Sequence, residues 1–144
     1  DYKAALSWIN KALDIESKTT SKLYIMILKV IKLFIFLELK NFELLEFSLR
    51  STTRTQGKSF PKTLSLMLDF IRKYPSANSD KQMMHQLLQT TIQKLKEIIK
   101  DPAEKQIIEA FDFLSLIESK FTGQPFARII QGKVQNNITE KDLV

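Results

Sequence analysis

Apolar residues recur along most of the chain at intervals of three and four, the spacing that places them on one face of an α-helix. Short polar breaks, proline or glycine separate seven such stretches. The predicted helices cover residues 2–15, 21–39, 42–51, 61–74, 80–100, 102–122 and 125–132. Residues 133–144 are polar and are predicted to form a frayed tail. The pattern therefore predicts an all-α protein.

Helix-end signals support several of these boundaries. Asp101, Pro102 and Glu104 form an aspartate variant of the capping box at the start of the sixth helix. Gly123 is a natural residue to end that helix. Three residues are candidates for the N-cap of the second helix: Ser17, Thr19 and Thr20.

The most apolar stretch is residues 24–39, YIMILKVIKLFIFLEL. Lys29, Lys32 and Glu38 interrupt it, so no uncharged run approaches the roughly 18 residues that a bilayer span needs. Together with Lys22, the two lysines define a narrow polar strip on an otherwise apolar helix. This pattern predicts a helix with protein neighbours on most sides, not a membrane span.

The sixth helix is predicted to supply part of the core. Ile107, Phe111 and Leu114 share one helical face and are expected to be buried. Truncating a buried phenylalanine to alanine costs about 3–5 kcal/mol, and this is the expected cost of Phe111→Ala.

Short loops between the helices predict antiparallel packing of sequential helices. The second, fourth and sixth helices begin about 40 residues apart, a spacing typical of stacked helical hairpins. We therefore expect about seven helices in a short α-solenoid that spans residues 1–132 as a single domain, with 133–144 as the tail. The variable spacing leaves a compact α bundle as the alternative.

The first residues, DYKAALSWINKALDI, resemble the second helix of a tetratricopeptide repeat. That motif has an aromatic residue, a small residue, a bulky residue and then an Ala–Leu pair. The matching positions are Tyr2, Ala5, Ile9, Ala12 and Leu13. Ser17 stands where the family usually has proline.

A second match to the family is LELKNFELLEFSL. Phe42 takes the aromatic place, but Lys40 replaces the turn glycine and Leu45 replaces the small alanine. No tetratricopeptide motif follows from Gly57 onward. The resemblance implies that the leading helix of the first repeat lies upstream, and that the chain is the carboxy-terminal part of a longer bacterial repeat protein. A native end cap is the alternative interpretation of the first helix.

The resemblance also implies a function. Arrays of this family hold peptides or partner proteins on a concave face, which the first helix of each pair lines. By that analogy, the expected contact residues are Lys22, Lys29, Lys32 and Phe36, which would favour an acidic partner segment. The alternative interpretation of this strip is a solvated edge of a buried helix.

Composition narrows the remaining possibilities. The net charge is +6, from 18 Lys and only four Arg against 16 acidic residues. Because arginine supplies the fork preferred at phosphates and base edges, the lysine excess disfavours nucleic acid, which stays as an alternative polyanionic partner. The chain has no cysteine, which excludes disulfides and thiolate sites. This fits a reducing, cytoplasmic location, and export is the alternative with which the lack of cysteine is also compatible.

The sequence offers little chemistry. His85 is the only histidine and lies among Met and Leu, and a lone histidine is more often a surface or half-buried polar residue than a base or ligand. Glu109 and Asp112 are spaced to share a helix face, but a solvated polar face is the simpler interpretation. We therefore expect a non-enzymatic protein with no metal or cofactor.

Overall fold

The structure is a computed structural model. It describes the backbone of residues 1–14, 21–57 and 59–142, and the side chains of these ranges up to Thr139. Over these ranges the chain is all-α, as predicted, and contains eight helices. The helices are α1 (Tyr2–Asp14), α2 (Lys22–Glu38), α3 (Phe42–Arg54), α4 (Lys62–Ala77), α5 (Lys81–Ile98), α6 (Pro102–Ala110), α7 (Phe113–Thr122) and α8 (Phe126–Asp142).

The chain divides into two compact units, Asp1–Ser79 and Asp80–Val144. The first unit contains α1 to α4, and the second contains α5 to α8. That residues 1–132 act as one domain stays a prediction.

In the first unit, α2 packs against α1, α3 and α4. Phe34 of α2 stacks on Phe70 of α4 with ring centroids 5.9 Å apart, and Tyr74 meets Phe70 edge-on at 5.6 Å. Most of the carboxy-terminal half of α2 is buried, which confirms the predicted helix with neighbours on most sides. Among the described helices, none combines the length and apolarity required to cross a bilayer.

The α2–α3 connection is a Schellman turn with a lysine at its left-handed position. Lys40 has φ +55°, and its backbone N–H donates to Leu37 O at 3.1 Å. The next N–H, from Asn41, donates to Phe36 O at 3.0 Å. The Asn41 side chain then accepts from Leu44 N at 3.3 Å and caps α3. One short segment thus ends one helix and begins the next.

The amino-terminal helix is mostly exposed. Of the residues that match the tetratricopeptide motif, Ile9 is buried, whereas Tyr2 is 51% exposed and Ala12 is also exposed. The N-cap of α2 is Ser21, whose hydroxyl oxygen accepts from Leu23 N at 3.3 Å. Four residues with predicted roles lie outside the described residues: Ile15, Ser17, Thr19 and Thr20.

In the second unit, α5 packs on α7 and α7 packs on α8. Among the described side chains of this unit, the buried apolar ones are Leu88, Leu95, Ile107, Phe113, Leu114 and Ile117. The predicted cap of α6 is confirmed, because the Asp101 carboxylate accepts from Ala103 N at 2.9 Å. Gly123 ends α7 with φ +74°, the left-handed conformation that glycine adopts most easily.

The predicted single helix 102–122 is wrong, since it divides into α6 and α7. Phe111 is extended, with φ −151°, and Asp112 starts a new helix by accepting from Ser115 N at 2.9 Å. The prediction that Phe111 is buried is also wrong, because the break leaves it half-buried. Its ring lies 4.8 Å from Phe113 and 5.9 Å from Phe126, centroid to centroid. Ile107 and Leu114 are buried as expected.

Three other helices extend beyond their predicted ends. The fourth continues through Pro75 to Ala77. Proline removes only its own N–H donor, and beyond it Asn78 N still donates to Tyr74 O at 2.9 Å. The third reaches Arg54. The last passes Gly132 and ends at Asp142, so most of the predicted tail is helical.

Candidate functional site

The four residues predicted to contact a partner have different environments. Lys22 is exposed in the first turn of α2. Lys29 and Lys32 are half-buried and line one cavity. Phe36 is only 5% exposed. The structure therefore brings Lys29 and Lys32 together and places Phe36 beneath the surface.

The cavity with the two lysines has a volume of about 230 Å³ and lies where α1, α2 and α3 meet. We call it the lysine pocket, lined by Leu13, Lys29, Lys32, Phe47, Ser48, Ser51 and Thr52. Phe47 is 74% exposed, so an aromatic ring stands at the side of a doubly charged site. The pocket thus combines two lysine side chains with an exposed aromatic ring.

The helical period of α2 explains how the lysines share this pocket. Residues three apart are neighbours on a helix surface, so Lys29 and Lys32 lie on one face. Phe36 is four residues after Lys32, and the Lys32 Nζ lies 5.7 Å from the centroid of its ring. Because Phe36 is packed in the core, this cation–π contact restrains the Lys32 side chain.

A second cavity region lies between α3 and α4 in the same unit. Two adjoining cavities, of about 450 Å³ and about 260 Å³, share Glu46, Leu49 and Arg72. We call the region the arginine groove, lined by Phe42, Leu45, Glu46, Leu49, Arg50, Thr53, Arg54, Ile71, Arg72 and Pro75. It contains three of the four arginines in the chain. The sequence prediction missed this site.

Two of these arginines form exposed ion pairs within their own helices. Arg50 pairs with Glu46, which the i,i+4 spacing on α3 predicts. Arg72 pairs with Asp69, with 2.7 Å between Nη1 and Oδ1. In both pairs the side chains are about half exposed or more, with the lowest value 49%, so each pair contributes little stability.

The net positive charge of the chain is confined to the first unit, which contains the lysine pocket and the arginine groove. Residues 1–79 carry 13 Lys and Arg against seven Asp and Glu. Residues 80–144 carry nine of each, so their formal charges cancel. The whole net charge of +6 therefore belongs to the first unit.

The second unit contains a polar cluster between α7 and α8. Lys133 Nζ donates to Ser115 Oγ at 2.6 Å and lies 3.2 Å from Glu118 Oε2. The Ser115 hydroxyl donates to Asp112 Oδ2, also at 2.6 Å. Ser115 is fully buried, so its hydroxyl is closed to a substrate, and the cluster joins two helices. Desolvation by burial lowers the pKa of Lys120, also on α7, to about 8.

The other candidate chemical residues have structural environments. His85 is exposed, and its ring centroid lies 4.9 Å from that of Phe121. Glu109 is exposed on α6, whereas Asp112 caps α7, so the two acids do not share one helix face. The described part of the chain has no group of three or more His, Cys, Asp or Glu side chains arranged to hold a metal ion.

Comparisons with protein-family models, with curated proteins and with solved structures gave no match to the chain. No family is identified for this all-helical protein, and the tetratricopeptide resemblance stays an interpretation of its residues.

Proposed function

We propose that the chain is a non-enzymatic module that holds an acidic segment of a partner protein on its first unit. The observation that carries this proposal is the lysine pocket, in which Lys29 and Lys32 lie beside the exposed ring of Phe47. A peptide with a carboxylate next to an apolar side chain can use both features at once.

The proposed architecture is a short tetratricopeptide-like solenoid of stacked hairpins. Two features support it. In the first unit α2 packs on its sequence neighbours and also on α4, which is the pattern of a hairpin stack. At the second motif match, Lys40 adopts the left-handed conformation for which the family uses glycine. A compact α bundle is the alternative architecture.

A second candidate function is binding of a polyanion such as nucleic acid. The concentration of the +6 charge in residues 1–79 favours it. Against it, lysines supply most of this charge and the lysine pocket has an apolar side. Salt dependence separates the candidates, because binding through phosphate contacts weakens steeply with salt, whereas contacts to an apolar ring do not.

Titration of the full chain with two labelled probes tests the proposal. The probes are a 12-residue peptide of alternating Glu and Leu and a 12-nucleotide single-stranded DNA, each measured by fluorescence anisotropy at two salt concentrations. At the higher salt concentration, we expect the peptide to bind more tightly than the DNA. The double variant Lys29→Ala/Lys32→Ala should weaken peptide binding about tenfold or more, equivalent to at least ~1.4 kcal/mol.

The matched control is Lys94→Ala/Lys96→Ala, which removes the same charge from two exposed lysines of α5. This control should bind the peptide like the parent. If both double variants lose the same affinity for the peptide, binding depends on the net charge of the chain and not on the lysine pocket. Tighter binding of the DNA, with a steep salt dependence, would favour the second candidate.

A further inference from the structure

We infer that the arginine groove is a second recognition site, which takes an aspartate or glutamate of the bound peptide together with an adjacent apolar side chain. This inference rests on the proposed peptide-binding function and extends it to a different face of α3. The residues of α3 that line the lysine pocket and those that line the groove are different sets.

The arginines of the groove are available to an incoming carboxylate. Arg54 is exposed and forms no ion pair with any residue in the described ranges. The exposed pairs of Arg50 and Arg72 are weak, so exchange of their partner carboxylates for one from a ligand has a small cost. A guanidinium binds a carboxylate through two parallel hydrogen bonds, which gives direction as well as attraction.

The apolar residues that line the groove favour a ligand with an apolar side chain over one that carries only charge. Leu45 and Ile71 are buried at its base, and Phe42 is 41% exposed at its edge. The smaller cavity, at about 260 Å³, lies below the usual range of volumes for sites that enclose a whole small molecule. The larger cavity, at about 450 Å³, lies in the lower part of that range. Charge above and apolar surface below fit two adjacent side chains of a peptide.

The groove and the lysine pocket are linked by a further cavity of about 400 Å³ on the exposed side of α3. This cavity shares Phe47 with the lysine pocket, and Glu46 and Arg50 with the arginine groove. Glu43 also lines it, and since Arg50 pairs with Glu46, the carboxylate of Glu43 leaves this cavity with a net negative charge. A peptide that spans both sites should therefore be acidic at its two ends and free of acidic residues at its centre.

Selection from a display library of random 12-residue peptides tests this inference on the full chain. Peptides selected by the parent should carry two acidic positions that flank a neutral, apolar centre. Arg54→Ala/Arg72→Ala should remove the preference for one acidic position and weaken a selected peptide about tenfold or more. Lys29→Ala/Lys32→Ala should remove the preference for the other position.

Two further variants separate a recognition role from an effect on folding. Arg54→Gln removes the groove arginine that forms no ion pair within the described ranges, and it keeps the ion pairs of Arg50 and Arg72. It should still weaken peptide binding severalfold, with an unchanged circular dichroism spectrum. Arg128→Ala removes the fourth arginine, which is exposed on α8, and should change affinity less than twofold.

The outcomes distinguish the two proposals. If the lysine variant loses binding while both groove variants select the same peptides as the parent, the second site is wrong and the proposed function stands. If the parent selects no acidic peptides, both are wrong. If the groove variants lose binding of single-stranded DNA but not of any peptide, the ligand is a polyanion and the inference fails.

Discussion

Replacement of Lys40 by glycine should stabilise the first unit. Lys40 is exposed, and its side chain forms no hydrogen bond or ion pair with any described residue, so the substitution removes little contact. Its backbone has φ +55° at the position where a Schellman turn usually has glycine. A residue with a Cβ atom is strained in this conformation, and glycine is not.

The size of the effect follows from two opposing terms. The left-handed conformation costs an L-residue about 1–2 kcal/mol. Glycine loses more chain entropy on folding, which offsets about 0.5–1 kcal/mol of that gain. Lys40→Gly should therefore raise the free energy of unfolding by about 0.5–1 kcal/mol. Lys40→Ala keeps the strain and should stay close to the parent.

Urea denaturation of the three proteins measures this difference. Circular dichroism reports helix content, and fluorescence of Trp8, the only tryptophan, reports on the first unit. The Lys40→Gly variant should have a higher free energy of unfolding than the Lys40→Ala variant. In a helix interior the order is the opposite, because alanine favours the helix more than glycine does. If the alanine variant is as stable as the glycine variant or more so, Lys40 is not strained and the turn is described wrongly.

Two further predictions concern the second unit. Burial lowers the pKa of Lys120 to about 8, whereas the unfolded chain keeps the ordinary value of 10.5. Stability should therefore rise between pH 8 and pH 10, where only the unfolded state holds this proton. Lys120→Met should lack this rise in urea denaturation; an unchanged pH dependence would contradict the assignment. Phe113 is fully buried, so Phe113→Ala should cost about 3–5 kcal/mol, whereas the half-buried Phe111→Ala should cost about half as much or less; the opposite order would place Phe111 in the core.

Local signals predicted helix ends well where one residue type determines the end. Asp101 caps α6 and Gly123 ends α7, because a carboxylate that accepts from backbone N–H groups and a residue without Cβ act regardless of tertiary packing. The break at Phe111 was missed because Ile107, Phe111 and Leu114 keep helical spacing across it. Asp112 was the available signal, since aspartate is a strong N-cap.

The candidate sites show a similar division. The lysine pair was predictable because Lys29 and Lys32 lie on one helix, where sequence spacing fixes their neighbourhood. The arginine groove was not, because Arg72 joins Arg50 and Arg54 only through packing of α4 near α3. The sequence contains four arginines, but no pattern in it indicates that three of them line one groove.

The uneven distribution of charge between the units has a kinetic consequence. Long-range attraction toward a negatively charged body acts on residues 1–79, while residues 80–144 contribute no net force. Diffusional encounters should thus favour collisions that involve the first unit, and their rate should fall as ionic strength shortens the Debye length.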